Sequence, residues 1–176
     1  MATELVFRAV PSDEGDAAAL VAAMLEEMRE LYWDVGGAGS GGLDLNSPDM
    51  PKAGPAELGP PGGVFLVGYR DGVAVAGGGL KRLPDGTCEI KRMYVVPHAR
   101  GQGVARTLLH ALEDAALGLG YAVARLDTGP RQGHAQAFYE REGYVPIGNF
   151  NANPVATFFG EKRLSARGSA APVDGR

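Results

Sequence analysis

The plainest chemical signal is a run in the middle of the chain, Tyr94-Val95-Val96-Pro97-His98-Ala99-Arg100-Gly101-Gln102-Gly103-Val104-Ala105-Arg106. An apolar run stops at Pro97, a short basic turn with two glycines follows, and an amphipathic stretch begins. With no side chains in the way, successive backbone N–H groups can converge on one anion. The positive end of a helix dipole reinforces them. Arg100 and Arg106 add full charges. The turn suits a phosphate or pyrophosphate. The plainer alternative is that Gly101 and Gly103 only make a tight strand-to-helix connection. A Walker loop needs Gly-Lys-Ser/Thr at its end, which is absent. A dinucleotide fingerprint, G-x-G-x-x-G/A, would put Arg106 at its third small position and belongs to a parallel βαβ unit. A Rossmann-type dinucleotide binder is therefore the weaker alternative.

A second segment lies further on: Gln132-Gly133-His134-Ala135-Gln136-Ala137-Phe138-Tyr139-Glu140-Arg141-Glu142-Gly143-Tyr144. Together the two resemble the GNAT N-acetyltransferase superfamily. Residues Arg100 to Ala105 fit that family's acetyl-CoA motif, Arg/Gln-x-x-Gly-x-Gly/Ala. The second segment is similar to its Asn-x-x-Ala-x-x-x-Tyr-x-x-x-Gly-Phe/Tyr, with Gln132 where asparagine is usual. The resemblance covers about residues 3–163, and its specific part is 88–144.

The resemblance implies an enzyme that moves the acetyl group of acetyl-CoA to a primary amine, a small molecule, by direct attack. The pyrophosphate of acetyl-CoA (coenzyme A) would sit on the N–H groups of Arg100, Gly101, Gln102, Gly103, Val104 and Ala105, with Arg106 beside them. The pantetheine arm would pair with the edge of Met93, Tyr94 and Val95, splayed from the strand Val123–Leu126. Gln132 would lie near the cofactor, and an N–H near Val95 would hold the carbonyl oxygen as charge develops. An alkyl amine, with a pKa near about 10.4, must lose a proton, and the leaving thiolate must gain one. Glu89 stands where several family members carry a base, and Tyr139 matches their usual acid. Glu89 as an ion-paired strand residue and Tyr139 as a core ring are the structural alternatives. A non-catalytic acyl-CoA-binding or sensory module on the same fold is the competing function. Family members are often dimers, which leaves a homodimer open.

Elements able to hold these residues are readable around them. Glu4–Val10 reads as a strand. Ala17, Leu20, Val21, Met24, Met28 and Leu31 recur at helical spacing, with Asp13 and Asp16 available as caps. In 36–63, fourteen of 28 positions are Gly or Pro, so this is a long loop, either functional or disordered. A loop of that kind could close over a small acceptor. Val64–Tyr69 and Val73–Leu80 flank Asp71-Gly72 as a hairpin. Gly77-Gly78-Gly79 signals a bulge or a close backbone approach. Cys88–Val96 is a third strand, on which alternation would put Glu89, Lys91 and Met93 on one face. Gly103–Leu117 is an amphipathic helix, with Val104, Leu108, Leu112, Ala115 and Leu119 on one stripe. A strand at Val123–Leu126, a helix at Arg131–Glu142 and strands at Val145–Ile147 and Val155–Glu161 follow. The fold class is α/β of the mixed α+β kind. It is a GNAT-type, mostly antiparallel sheet with helices on both faces and a β-α-β crossover at the acetyl-CoA site. One domain spans 1–164, and 165–176 reads as a flexible tail.

Composition narrows the function classes. The 176 residues include one cysteine, Cys88, and three histidines without metal-ligand spacing, which excludes an intramolecular disulfide and a cysteine zinc cluster and leaves no metal site. No apolar run is long enough for a membrane span and no signal-peptide pattern opens the chain, so a cytoplasmic, non-membrane protein is expected. Residues 13–58 hold ten acids and two bases, a local charge of −8, which points to a cationic amine acceptor. The acidic balance and lack of an aromatic–basic stripe argue against nucleic acid.

Overall fold

The computed structural model describes residues 4–35 and 41–167. Its strands are β1 (Val6–Ala9), β2 (Val64–Arg70), β3 (Val73–Arg82), β4 (Cys88–Val95), β5 (Val123–Thr128), β6 (Val145–Pro146) and β7 (Phe158–Arg163). The helices are α1 (Gly15–Leu31), α2 (Val104–Gly118) and α3 (Gly133–Arg141). All seven strands join one sheet in the order β1-β2-β3-β4-β5-β7-β6. Every neighbouring pair is antiparallel except β4 and β5, which the crossover through α2 makes parallel.

Local chemistry accounts for the hairpin. Asp71 and Gly72 both have positive φ (52° and 78°), the mirror-image turn whose twist matches antiparallel strands. Helix α2 covers one face of the sheet through Leu108, Leu109 and Leu112, all fully buried against Leu80, Ile90 and Leu126. Each such leucine contributes about 1.5–3 kcal/mol relative to exposure. The expected stripe ends differently: Leu119 is exposed because the helix stops at Gly118, and Leu109 and Ala116 are buried instead. Helix α1 covers the other face, with Ala17 and Leu20 against Phe65 and Val67, joined by Leu58 from the long loop.

Both layers press on the glycine triplet. A Cβ on Gly77 or Gly79 would lie 3.0–3.2 Å from Leu20, Phe65 or Leu58, and one on Gly78 would lie 3.1 Å from Leu112 and Met93. The register shifts between Gly77 and Gly79, and Arg92 opposite has a left-handed φ of 59°. This is a β-bulge, and it resets the alternation of β4. Met93 packs with Cys88 and Ile90 in the α2 layer, not on the face of Glu89 and Lys91 as strict alternation expects.

Other differences have local causes. Glu14 precedes α1 with no side-chain cap, and Asp16 instead accepts a hydrogen bond from the Tyr69 hydroxyl at 3.0 Å. Helix α3 starts at Gly133 because Arg131 and Gln132 belong to the turn before it. The last strand starts at Phe158, not Val155. Asn153 Oδ1 accepts from the N–H groups of Val155 and Ala156 (3.0 and 3.2 Å) and so holds them in a turn. Of the expected tail, Arg167 is fixed by Glu113 and Asp114, and 168–176 lie outside the described residues. Within the Gly/Pro-rich loop, 36–40 lie outside the described residues, while Met50 and Leu58 further along are buried. No helix among the described residues is long and apolar enough to cross a membrane.

Candidate active site

Strands β4 and β5 pair at only two positions, Cys88 with Ala124 and Glu89 with Arg125, then separate although both continue. The parting begins just before the bulge at Arg92. A cavity of about 650 Å³ occupies the opening. Its walls come from α1 (Met24, Met28, Leu31) and Tyr32 just after it, the segment 43–53 (Leu43, Leu45, Met50), the ends of β4 and β5, and α3 (Phe138, Tyr139).

The edge of β4 is set for a partner. Val96 N–H donates to Val75 O at 3.0 Å, so alternation along the strand turns the peptide groups of Val95 the other way, into the opening. Val95 O already accepts from Arg100 Nε at 2.9 Å. Val95 N–H therefore remains as the donor that faces the opening. The Tyr94 ring, also on the cavity wall, lies under the guanidinium of Arg100.

Beyond the strand, Gly101 and Gly103 adopt φ of 73° and 77°, and a Cβ on either would project into open space. The first bond closed within α2 is from Thr107 N–H to Gly103 O, so the N–H groups of Val104, Ala105 and Arg106 precede any helical acceptor. This is a cradle of donors at a helix N-terminus that a side chain would fill, and it fits the pyrophosphate of acetyl-CoA. The arginine side chains do less than their charge suggests. Arg100 Nη2 donates to Glu27 at 2.7 Å and Arg106 pairs with Glu142 at 2.9 Å. Gln102 bridges Arg70 Nη1 (2.6 Å) and His98 O (2.9 Å). Gln132 lines the cavity, and its Oε1 accepts from Gly129 N–H at 3.0 Å, tying down the turn after β5. Gly103→Val would force a β-branched residue into the left-handed region and fill the cradle. We expect CoA affinity to fall at least about tenfold by calorimetry with the melting transition still cooperative. Unchanged affinity would remove the cradle from the site.

The proton-handling groups divide. Tyr139 is on the cavity wall. Its ring packs on Phe138 (5.2 Å between centroids) and Tyr144 (5.9 Å), and among the described residues its hydroxyl meets only the Met93 sulfur at 3.6 Å. Burial, reinforced by the charge of Asp127, pushes its pKa up, so it keeps its proton. Glu89 does not reach the cavity. It is 0% exposed, and its Oε1 accepts from Lys91 Nζ (2.8 Å) and Asn151 Nδ2 (2.7 Å). The ion-paired alternative describes its position, because Lys91 and, at 3.8 Å, Lys81 face the buried carboxylate. Two carboxylates stand on the wall: Glu27, which is paired with Arg100, and Asp127, near the end of β5. Asp127 Oδ2 accepts from Asn151 (2.7 Å) and Asn153 (2.9 Å), and Oδ1 only from Lys91 at 3.3 Å. Sequence reasoning missed Asp127, Asn151, Asn153 and Arg92, none of which sits in a motif. His134 is exposed at the cavity rim. Cys88 is wholly buried, its thiol pushed up to about 12 chiefly by desolvation, as suits an inert core residue. Of the ten acids of 13–58, three form ion pairs among the described residues: Glu26 with Arg29, Glu27 with Arg100, Asp34 with Arg131.

A mixed sheet parted between two parallel strands, with an anion cradle on the following helix, defines an acyl-CoA-binding transferase fold. The family model for the GNAT acetyltransferase family matches residues 25–144, and the chain belongs to that family. It is thus an acyl-CoA-dependent N-acetyltransferase with acetyl-CoA as co-substrate. Among relatives, an IAA acetyltransferase of Azospirillum brasilense is 36% identical over 104 residues, covering 57% of this chain and 67% of that protein. A structure from Klebsiella pneumoniae assigned as an acyl-CoA N-acyltransferase superposes with a TM-score of 0.69 at 29% identity, over 92% of this chain and 98% of that one. A protein from Bacillus anthracis assigned as a streptothricin acetyltransferase, solved with acetyl coenzyme A, shares the fold at 18% identity and a TM-score of 0.56 over 68% of this chain and 70% of that one.

Proposed function

We propose that the chain acetylates the primary amine of a small molecule by direct attack, with Asp127 and Tyr139 handling the two protons. One observation carries this reading: a carboxylate and a protonated phenol stand on the wall of the same cavity, at the parting of β4 and β5. When bound, acetyl-CoA supplies the activated acetyl thioester. Arg100 to Ala105 and the edge of Met93 to Val95 would hold it, and Gln132 shapes the turn beside it. Val95 N–H is the donor for the carbonyl oxygen. Asp127 Oδ1, with one long contact, takes the proton of the attacking ammonium. Tyr139 Oη gives its proton to the leaving sulfur. Glu89 acts one step back, fixing Lys91 and thereby Asp127. The largely apolar walls and the volume of about 650 Å³ favour a small acceptor over a protein side chain.

CoA release should be followed across amines, amino acids, aminoglycosides, polyamines and peptides. Turnover of small primary amines above peptides is expected. Acetyl-CoA binding without acetylation of any acceptor would instead indicate an acyl-CoA-binding module.

A further inference from the structure

We propose that the acceptor carries a carboxylate beside its amine, and that Arg92 is the residue that reads it; this rests on the acetyltransferase reading above. Arg92 lines the cavity from the bulge of β4. Its Nη2 donates to Asn46 Oδ1 at 3.1 Å, while Nε and Nη1 are shielded from water and have no hydrogen-bond partner among the described residues. Three N–H donors are thus left without acceptors, an expensive arrangement for a charged group unless a ligand completes it. A planar guanidinium matches a carboxylate better than other common anionic groups of small metabolites except phosphate.

The remaining cations on the wall are already answered. Lys91 pairs with Glu89 and Asp127, Arg100 with Glu27, and Arg131 with Asp34. Among the described residues no carboxylate forms an ion pair with Arg92. Asp44, the acid that acts on it most, uses Oδ1 to accept from Asn46 N–H at 2.8 Å. Burial disfavours the charged form of Arg92 and Asp44 favours it, so an incoming anion would be met by an under-solvated cation. Asp127, the group assigned to the amine, lines the same cavity from the neighbouring strand. Met24, Met28, Leu45 and Met50 supply an apolar wall. Carboxylate, amine and apolar body together describe an apolar or aromatic amino acid, in place of the cationic amine that the acid-rich sequence suggests.

The test compares L-phenylalanine and L-leucine with their decarboxylated amines and with L-phenylalaninamide, in wild type, Arg92→Met and Arg92→Lys. Wild-type kcat/KM should favour the amino acids by about 10–100-fold. Arg92→Met should erase that preference by slowing the amino acids alone, with phenethylamine changed less than about threefold. Arg92→Lys should keep part of it. Equal wild-type turnover of phenethylamine and L-phenylalanine overturns the assignment, as does an equal loss for both in Arg92→Met. Should Arg92→Met fail to fold, the wild-type comparison tests the carboxylate and Arg92→Lys tests the residue: an undiminished preference in Arg92→Lys overturns the role of Arg92. Acetylation of amines without a carboxylate only would overturn this inference and leave the transferase standing. No acetylation of any amine would overturn both.

Discussion

Tyr139→Phe is expected to lower kcat by about 10²–10⁴-fold, the usual contribution of a positioned acid. The substitution keeps the ring and its packing on Phe138 and Tyr144. The hydroxyl's one partner is the Met93 sulfur at 3.6 Å, a weak acceptor, so stability should change by less than about 1 kcal/mol. The loss should fall in kcat and leave CoA affinity intact, because the negative sulfur exists only as the thioester breaks. Burial and the Asp127 charge raise the pKa of this hydroxyl above the ordinary tyrosine value of about 10. A raised pKa keeps the acid form present to higher pH. The wild-type rate should therefore show no alkaline fall from this group below the usual tyrosine range. Near-normal kcat in Tyr139→Phe would return the residue to the core and leave water or substrate to protonate the sulfur.

The cofactor half of the site was readable because it is contiguous. Val95 to Arg106 make a strand end, a turn and a helix start within a dozen residues, and each part follows from residue type alone. The acceptor half is assembled from α1, 43–53, β4, β5 and 151–153, which only the sheet brings together. Glu89 shows the limit most clearly. Spacing put it on the right strand, but the carboxylate is also held by Asn151, 62 residues further along the chain. Arg92 is a second case. Nothing in Lys-Arg-Met announces a left-handed residue; the signal lay on the facing strand, in the glycine triplet, and it gave a bulge without saying which residue of β4 would turn. The start of the last strand was misplaced because Asn153 caps the turn before it through a side chain, while Val155 has the residue type of a strand. For the charge of 13–58, composition counts carboxylates and does not show that Glu27 and Asp34 are met by Arg100 and Arg131 from outside that section.

Asp127→Asn should cost as much as the loss of Tyr139, about 10²–10⁴-fold in kcat/KM near neutral pH. The amide keeps the shape of the side chain. Lys91 retains Glu89 at 2.8 Å, so no buried cation is stranded, and the stability loss should stay near about 1–2 kcal/mol. The pH profile separates a base from a structural carboxylate. Amines of this kind have pKa values of about 8 to 10, so near pH 7 the acceptor arrives as ammonium and needs a group to take its proton. As pH rises toward that pKa, solvent delivers the free amine and the missing base matters less. The deficit of Asp127→Asn should therefore shrink steadily with pH, while a variant that merely distorts the cavity keeps a constant deficit. Glu89→Gln provides the contrast. With Glu89 behind Lys91, its effect should be smaller and should follow the position of Lys91, without the same recovery at high pH. If Glu89→Gln shows the pH-dependent rescue and Asp127→Asn does not, the proton passes through the buried glutamate, and Asp127 serves only to hold Asn151 and Asn153.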